Sequence, residues 1–178
     1  MTLRPLLLAA GLTLAGTLQA AETTVEFHKI SAEGVGESIG TVTLRDTDMG
    51  MLIIPDLQGL EPAGAHGFHV HQNPDCGPAI KDGEMTAGVA AGGHYDPEDS
   101  GVHMGPYQTD GHLGDLPALI VDEDGSATVH LLAPRLQVEE LMGRSIIIHQ
   151  GGDNYRDEPK SLGGGGARIA CAVVEIEA

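Results

Sequence analysis

Eight short runs of alternating or β-branched residues punctuate the chain: Val25–Ile30, Ser38–Leu44, Met51–Pro55, His66–His71, Ala118–Val121, Ala127–Leu132, Ser145–His149 and Arg168–Ile176. A period of two marks a strand with one buried and one wet face. The runs are bounded by Gly, Asp and Pro clusters such as Asp122-Glu123-Asp124-Gly125, which reads as a hairpin turn. Gln137–Met142 suits a single helical turn, and nothing longer has a helical period. The pattern predicts an all-β sandwich or closed barrel in one domain, residues 21–178.

Two stretches do not fit strands. From Pro74 to Pro117 there is almost no regular period, and Gly92–Pro117 alone carries six Gly and three Pro. The second stretch runs from Gln150 to Gly166 and ends in four consecutive glycines. A long loop without its own periodicity in a compact domain is either functional or disordered, so something must order these two.

Composition narrows the class. Of 178 residues 41% are apolar, enough for a core, but only 3% are aromatic and none is Trp, so Val, Ile, Leu and Ala must fill it. Lys and Arg number 9 against 26 Asp and Glu, a formal charge of −17. That balance argues against nucleic acid and anionic membrane surfaces as partners. At the N-terminus Arg4, an apolar run from Leu6 to Leu18 and the small residue Ala20 read as an export signal, residues 1–20, too short to span a bilayer. No membrane insertion is expected once it is removed. In an oxidising compartment such as the periplasm the two cysteines, Cys76 and Cys171, favour a disulfide. A closed loop of that length contributes about 4–5 kcal/mol by chain entropy.

Nine histidines in so acidic a chain point to imidazole-ligated metal. His69 and His71 stand at i and i+2 in a strand-like run, so both project from one face while Phe68 and Val70 take the other. Their Cα atoms lie about 7 Å apart by strand rise, within reach of one ion. His94, His103 and His112 follow at intervals of nine, with Asp115 three residues on, all in the Gly/Pro-rich loop. Three imidazoles and a carboxylate make a closed tetrahedral Zn²⁺ site, and a cation can order a loop that buries little apolar surface. His149 ends another strand. His66 reads as a structural histidine facing inward with Phe68, and His28 and His130 receive no role.

The sequence resembles the bacterial periplasmic copper, zinc superoxide dismutases over essentially the whole mature chain. The resemblance is carried by Gly67-Phe68-His69-Val70-His71, Gly92-Gly93-His94-Tyr95-Asp96-Pro97, His103-Met104-Gly105-Pro106 and Gly111-His112-Leu113-Gly114-Asp115-Leu116-Pro117. It continues through His149-Gln150-Gly151-Gly152-Asp153-Asn154 and the segment Leu162–Cys171. It implies a flattened eight-stranded Greek-key barrel, an immunoglobulin-like sandwich, with two long loops. It implies copper held by His69, His71, His94 and His149, and zinc by His94, His103, His112 and Asp115, with His94 shared. Asp153 would hydrogen-bond one ligand of each site, His71 and His103. Arg168 would guide the anion, and Cys76 and Cys171 would form the intrachain disulfide. The implied reaction is dismutation of superoxide to O₂ and hydrogen peroxide, with His94 accepting a proton in the reduced half-cycle. As to assembly, the resemblance allows a monomer or a homodimer.

The −17 charge conflicts less than it looks with an anionic substrate, because capture responds to the local field at the opening. Arg168 supplies that field; Lys81 and Lys160 are further steering candidates, while Glu84 stands where close relatives often carry a lysine. Two other classes compete. An exported zinc hydrolase would need an open zinc position and a Glu base, whereas His94, His103, His112 and Asp115 close four positions. A non-enzymatic copper or zinc carrier on the same barrel would be expected to lose a ligand or the arginine, and all are present. Gly34-Val35-Gly36 and Gly163–Gly166 lack the context of a nucleotide-binding loop.

Overall fold

The computed structural model describes residues 20–176. The expected export signal therefore lies, apart from the exposed Ala20, outside the described residues. Within them the chain forms β1 (Glu22–Ser31), β2 (Gly34–Thr47), β3 (Gly50–Leu57), β4 (Gly64–His66), β5 (Phe68–His71), β6 (Ala79–Lys81), β7 (Glu84–Thr86), β8 (Leu119–Val121), β9 (Leu131–Ala133), β10 (Arg144–His149) and β11 (Arg168–Val174). The only helical segments among the described residues are three short 3₁₀ turns, one of them Val138–Leu141 where a single turn was expected.

Seven strands share one antiparallel sheet in the order β5-β10-β11-β1-β2-β3-β9. The sheet curls shut through the short ribbon of β4 and β8. The turn after β8, where the Gly125 N–H donates to Asp122 O, returns the chain so that Ala127 pairs with Leu57 of β3. The expected run His66–His71 is thus two strands. β4 pairs with β8 and β5 pairs with β10, and Gly67 between them turns its N–H to Gly151 O at 2.8 Å. Likewise Ala127–Leu132 is a bridge followed by β9 rather than one strand. Counting β4 with β5, and Ala127 with β9, eight strand paths close the barrel.

The alternation explains what fills it. On β1, Val25 and Phe27 point inward between exposed Thr24 and Glu26; on β3, Met51, Ile53 and Leu57 do the same. The two phenylalanines, Phe27 and Phe68, meet with centroids 6.1 Å apart amid Leu44, Leu116, Ile146 and Ile148. Burying a side chain of this size stabilises by about 1.5–3 kcal/mol, so the aliphatic interior holds the barrel without Trp. A smaller apolar cluster outside it, Ile30, Ala91 and Ile147, packs around the Cys76–Cys171 disulfide, whose Cα atoms are 5.7 Å apart. The stretch Pro74–Pro117 is less shapeless than its sequence suggests, since β6 and β7 form a hairpin inside it.

Candidate metal centre

The strand β5 presents Phe68 and Val70 to the core and His69 and His71 to the opposite side, all four fully buried. What covers the histidine side is the Gly-rich loop, docked along the free edge of β5 by backbone hydrogen bonds. The Val70 N–H donates to Gly114 O at 2.8 Å, the Tyr95 N–H to Val70 O at 2.8 Å, and the Leu116 N–H to Phe68 O at 3.2 Å. This pairing sets His94 opposite His71 and Asp115 opposite His69. A side chain at position 114 would collide with Val70 O and Tyr95, so only glycine lets the loop approach this closely. His149 arrives from β10, where a bulge displaces the register so that it faces Arg168 of β11. Bulges of this kind re-aim side chains beside functional sites.

Two groups of donor atoms result. In each, every donor lies within 4.8 Å of the others: His69, His71, His94 and His149 in one, His69, His94, His103 and Asp115 in the other. The sequence expectation had His112 rather than His69 in the second group. His112 is nearby, its Nδ1 3.5 Å from Asp115 Oδ1, and its ring centroid is 5.3 Å from that of His94.

The hydrogen bonds fix which nitrogen of each ring is free. His69 Nε2 and His103 Nε2 donate to the two oxygens of Asp153, each at 2.8 Å; His71 Nδ1 donates to Gly92 O at 3.0 Å, and His149 Nδ1 faces Gly166 O at 3.3 Å. With those positions engaged, His69 Nδ1, His71 Nε2, His94 Nε2 and His149 Nε2 are buried without any partner. Buried polar atoms are otherwise almost always paired, so four converging orphan lone pairs fit a cation. On the other side His94 Nδ1 lies 2.9 Å from Asp115 Oδ1. His103 Nδ1 lies 2.9 Å from Asp115 Oδ2 without the alignment of a hydrogen bond, the geometry of two ligands aimed at a common point. His94 belongs to both groups, with Nε2 unpartnered and Nδ1 beside Asp115.

This corrects one expectation. Asp153 joins His103 to His69, not to His71. The reason is position along β5: His71 sits against Gly92 and spends its Nδ1 there, whereas His69 faces the second loop, which carries Asp153. The same aspartate is crowded by Gly163, where any Cβ would run into its carboxylate.

Charge follows from burial. Desolvation, followed by the neighbouring His69, pushes His94 down to about 3, and desolvation also holds His71 and His149 well below the ordinary imidazole value. All three are neutral imidazoles at neutral pH. Burial opposes the charging of His103, but Asp115 and Asp153 outweigh it and raise the group to about 9. Burial also works against ionising those two carboxylates, yet the imidazole hydrogen bonds hold both well below the usual range.

Arg168 is half-buried and donates to Gly88 O and Gly92 O, the latter being the carbonyl that also fixes His71. Of the other steering candidates, Lys81 is exposed on β6, and Lys160 is likewise exposed, its stem near Gly164. His66 spends both ring nitrogens on backbone carbonyls, His149 O at 2.6 Å and Pro62 O at 2.7 Å, and so braces the end of β10 that bears His149. His28 and His130 lie away from the centre, on β1 and ahead of β9. Sequence reasoning missed Asp157, whose carboxylate accepts the His103 and Leu162 N–H groups and joins the two loops. It also missed Tyr155, whose hydroxyl accepts the Ala118 N–H. Neither residue has a spacing signal; both act on backbone brought near only by folding.

Comparison with known proteins agrees with this geometry. Residues 38–174 match the family described as copper/zinc superoxide dismutase. The chain is 53% identical over 170 residues to a copper–zinc superoxide dismutase 1 of Salmonella typhimurium, covering 94% of this chain and 96% of that protein. Among solved structures, the copper/zinc superoxide dismutase from Brucella abortus superposes with a TM-score of 0.84 at 45% identity, over 87% of this chain and all of that one. The monomeric copper, zinc superoxide dismutase from Salmonella enterica gives 0.78 at 51% identity, with the same coverage.

Proposed function

The chain belongs to the copper/zinc superoxide dismutase family, and on that premise we propose that it is an exported enzyme that converts superoxide to O₂ and hydrogen peroxide. The observation that carries the reading is His94, whose Nε2 joins one donor group while its Nδ1 joins the other. Four imidazoles suit copper, and three imidazoles with a carboxylate suit zinc. Copper is assigned to His69, His71, His94 and His149, and zinc to His94, His103, His112 and Asp115. His112 takes the place that His69 holds by distance alone, since His69 has committed Nε2 to Asp153 and has only Nδ1 for the copper group.

Bound copper supplies the one-electron exchange by which one superoxide leaves as O₂ and a second, with two protons, as hydrogen peroxide. The protein's residues do the rest. His94 Nε2, buried without a partner in the chain, is the atom that would hold and hand on a proton when it is not holding copper. Asp153 locks His69 and His103 in one tautomer each, so their lone pairs stay aimed at the ions. Arg168 places a guanidinium between the carbonyls of Gly88 and Gly92, a local positive field for a small anion on a chain whose overall charge is −17. The disulfide, the apolar run Leu6–Leu18 closed by Ala20, and the bacterial relatives support export to the periplasm. The monomeric Salmonella relative supports a monomer as the working assembly.

The test is copper and zinc stoichiometry of the purified mature protein, with superoxide consumption measured before and after chelation. About one of each ion per chain, and activity that vanishes with copper, is the expected result. Copper bound with background consumption would make the protein a carrier.

A further inference from the structure

We infer that Arg135 is a positioning residue for the zinc side of the centre, holding the two limbs of the loop that carry His103 and His112 at a fixed separation; this rests on the zinc assignment above. Arg135 follows β9 and Pro134, on the wall of the barrel, and belongs to neither long loop. Its half-buried guanidinium donates to three backbone carbonyls, Gly111 O at 2.9 Å, His112 O at 3.2 Å and Gly105 O at 3.5 Å.

These three acceptors lie on opposite limbs of one closed excursion. The limbs meet where the His112 N–H donates to Val102 O at 3.0 Å, and between them the chain runs outward through Pro106 to Asp110. One limb carries His103, then Met104 and Gly105, whose N–H groups donate to Asp115 Oδ2 at 3.2 and 3.1 Å. The other carries Gly111 and His112. Gly105 is therefore gripped twice, through its N–H by a ligand carboxylate and through its carbonyl by Arg135. His112 is likewise held through its N–H by Val102 and through its carbonyl by Arg135.

The chemistry requires arginine. Carbonyl oxygens on two limbs need several donors diverging from one rigid plane, which a guanidinium provides and a single ammonium does not. His112 gains most from the brace. Unlike His69, His71, His103 and His149, its ring has no outer partner among the described residues, so its orientation depends on the backbone that bears it. Removing such a support loosens the ligand without deleting it, and outer supports of metal ligands are commonly worth about 10–100-fold in affinity.

The experiment compares full mature wild-type protein with R135M, R135K and H112A. Zn²⁺ affinity is read by competition with a chromophoric chelator, and site geometry by the visible spectrum of Co²⁺ bound in the same place. R135M should weaken Zn²⁺ by about tenfold or more and shift the Co²⁺ bands. R135K should recover only part of the loss, and millimolar guanidinium should restore R135M but not H112A. R135M with wild-type affinity and an unchanged Co²⁺ spectrum would overturn the role of Arg135. So would full recovery by R135K, since charge alone would then suffice. If R135M does not fold, R135K and its Co²⁺ spectrum decide the question. Wild-type protein that takes no zinc, or H112A that keeps full affinity, would overturn the zinc assignment itself.

Discussion

Phe68 and Val70 on one face of β5, and His69 and His71 on the other, are equally withdrawn from water, yet the two faces are held by different means. The inner face meets Phe27, Leu44, Leu116 and Ile146, and burial of apolar surface suffices to stabilise it. The outer face buries imidazoles, which costs free energy unless each polar atom finds a partner. Every ring on that face except His94 and His112 gives one nitrogen to Asp153, Gly92 or Gly166, and the nitrogen left over has none. The barrel interior is thus complete as a folded chain, whereas the histidine cage is completed by ions. Equal burial on the two sides of one strand carries opposite consequences.

The comparison breaks most sharply at His149. His149→Ala should bring superoxide consumption to background while leaving zinc content and the β-sheet in place; retained activity would remove His149 from the copper group. On the inner face Phe68→Ala should cost about 3–5 kcal/mol of stability, by the same amount with or without metal. Denaturant melts of loaded and chelated protein check this, and a loss confined to the loaded form would mean the core leans on the ions after all. A smaller effect is expected from Asp153→Asn, which keeps the shape but weakens the hold on His69 and His103. Metal affinity should fall about 10–100-fold for both ions, because the residue touches both groups. Loss of zinc alone, measured by competitive chelation, would contradict the bridge to His69.

The mildest test uses pH on the metal-free protein. His94 titrates near 3 when folded and about 6.5 when unfolded, so between those values the unfolded state binds more protons. Stability should therefore fall as the pH drops from about 6.5 towards 3. His103, raised to about 9, works in the other sense. It contributes stability at low pH that is lost as pH rises from about 6.5 through 9. The melting temperature of chelated protein should peak near neutrality. A melting temperature that climbs steadily towards pH 4 would show that the cage histidines are not buried neutral in the absence of metal.

Much of this was visible before folding. His-x-His on a strand already implies two rings on one face, because side-chain direction alternates residue by residue. The spacing of His94, His103, His112 and Asp115 in a loop too polar to order itself already implies a cation. What no spacing could show is that Asp153 reaches His69 instead of His71, since the choice turns on which end of a four-residue strand meets which loop. Arg135 and Asp157 were equally invisible, for Arg135 reaches the carbonyls of Gly111 and His112, and Asp157 the N–H of His103, across 23 to 54 positions.

Local pattern, then, determined most strands of the barrel wall, the inward and outward alternation, and the kinds of donor atoms, because these depend on residue type and a period of two. Tertiary structure decided which nitrogen of each ring stays free and which ring serves both donor groups. Those outcomes depend on loops docking against a strand edge, and a strand edge exists only once distant segments have closed the barrel.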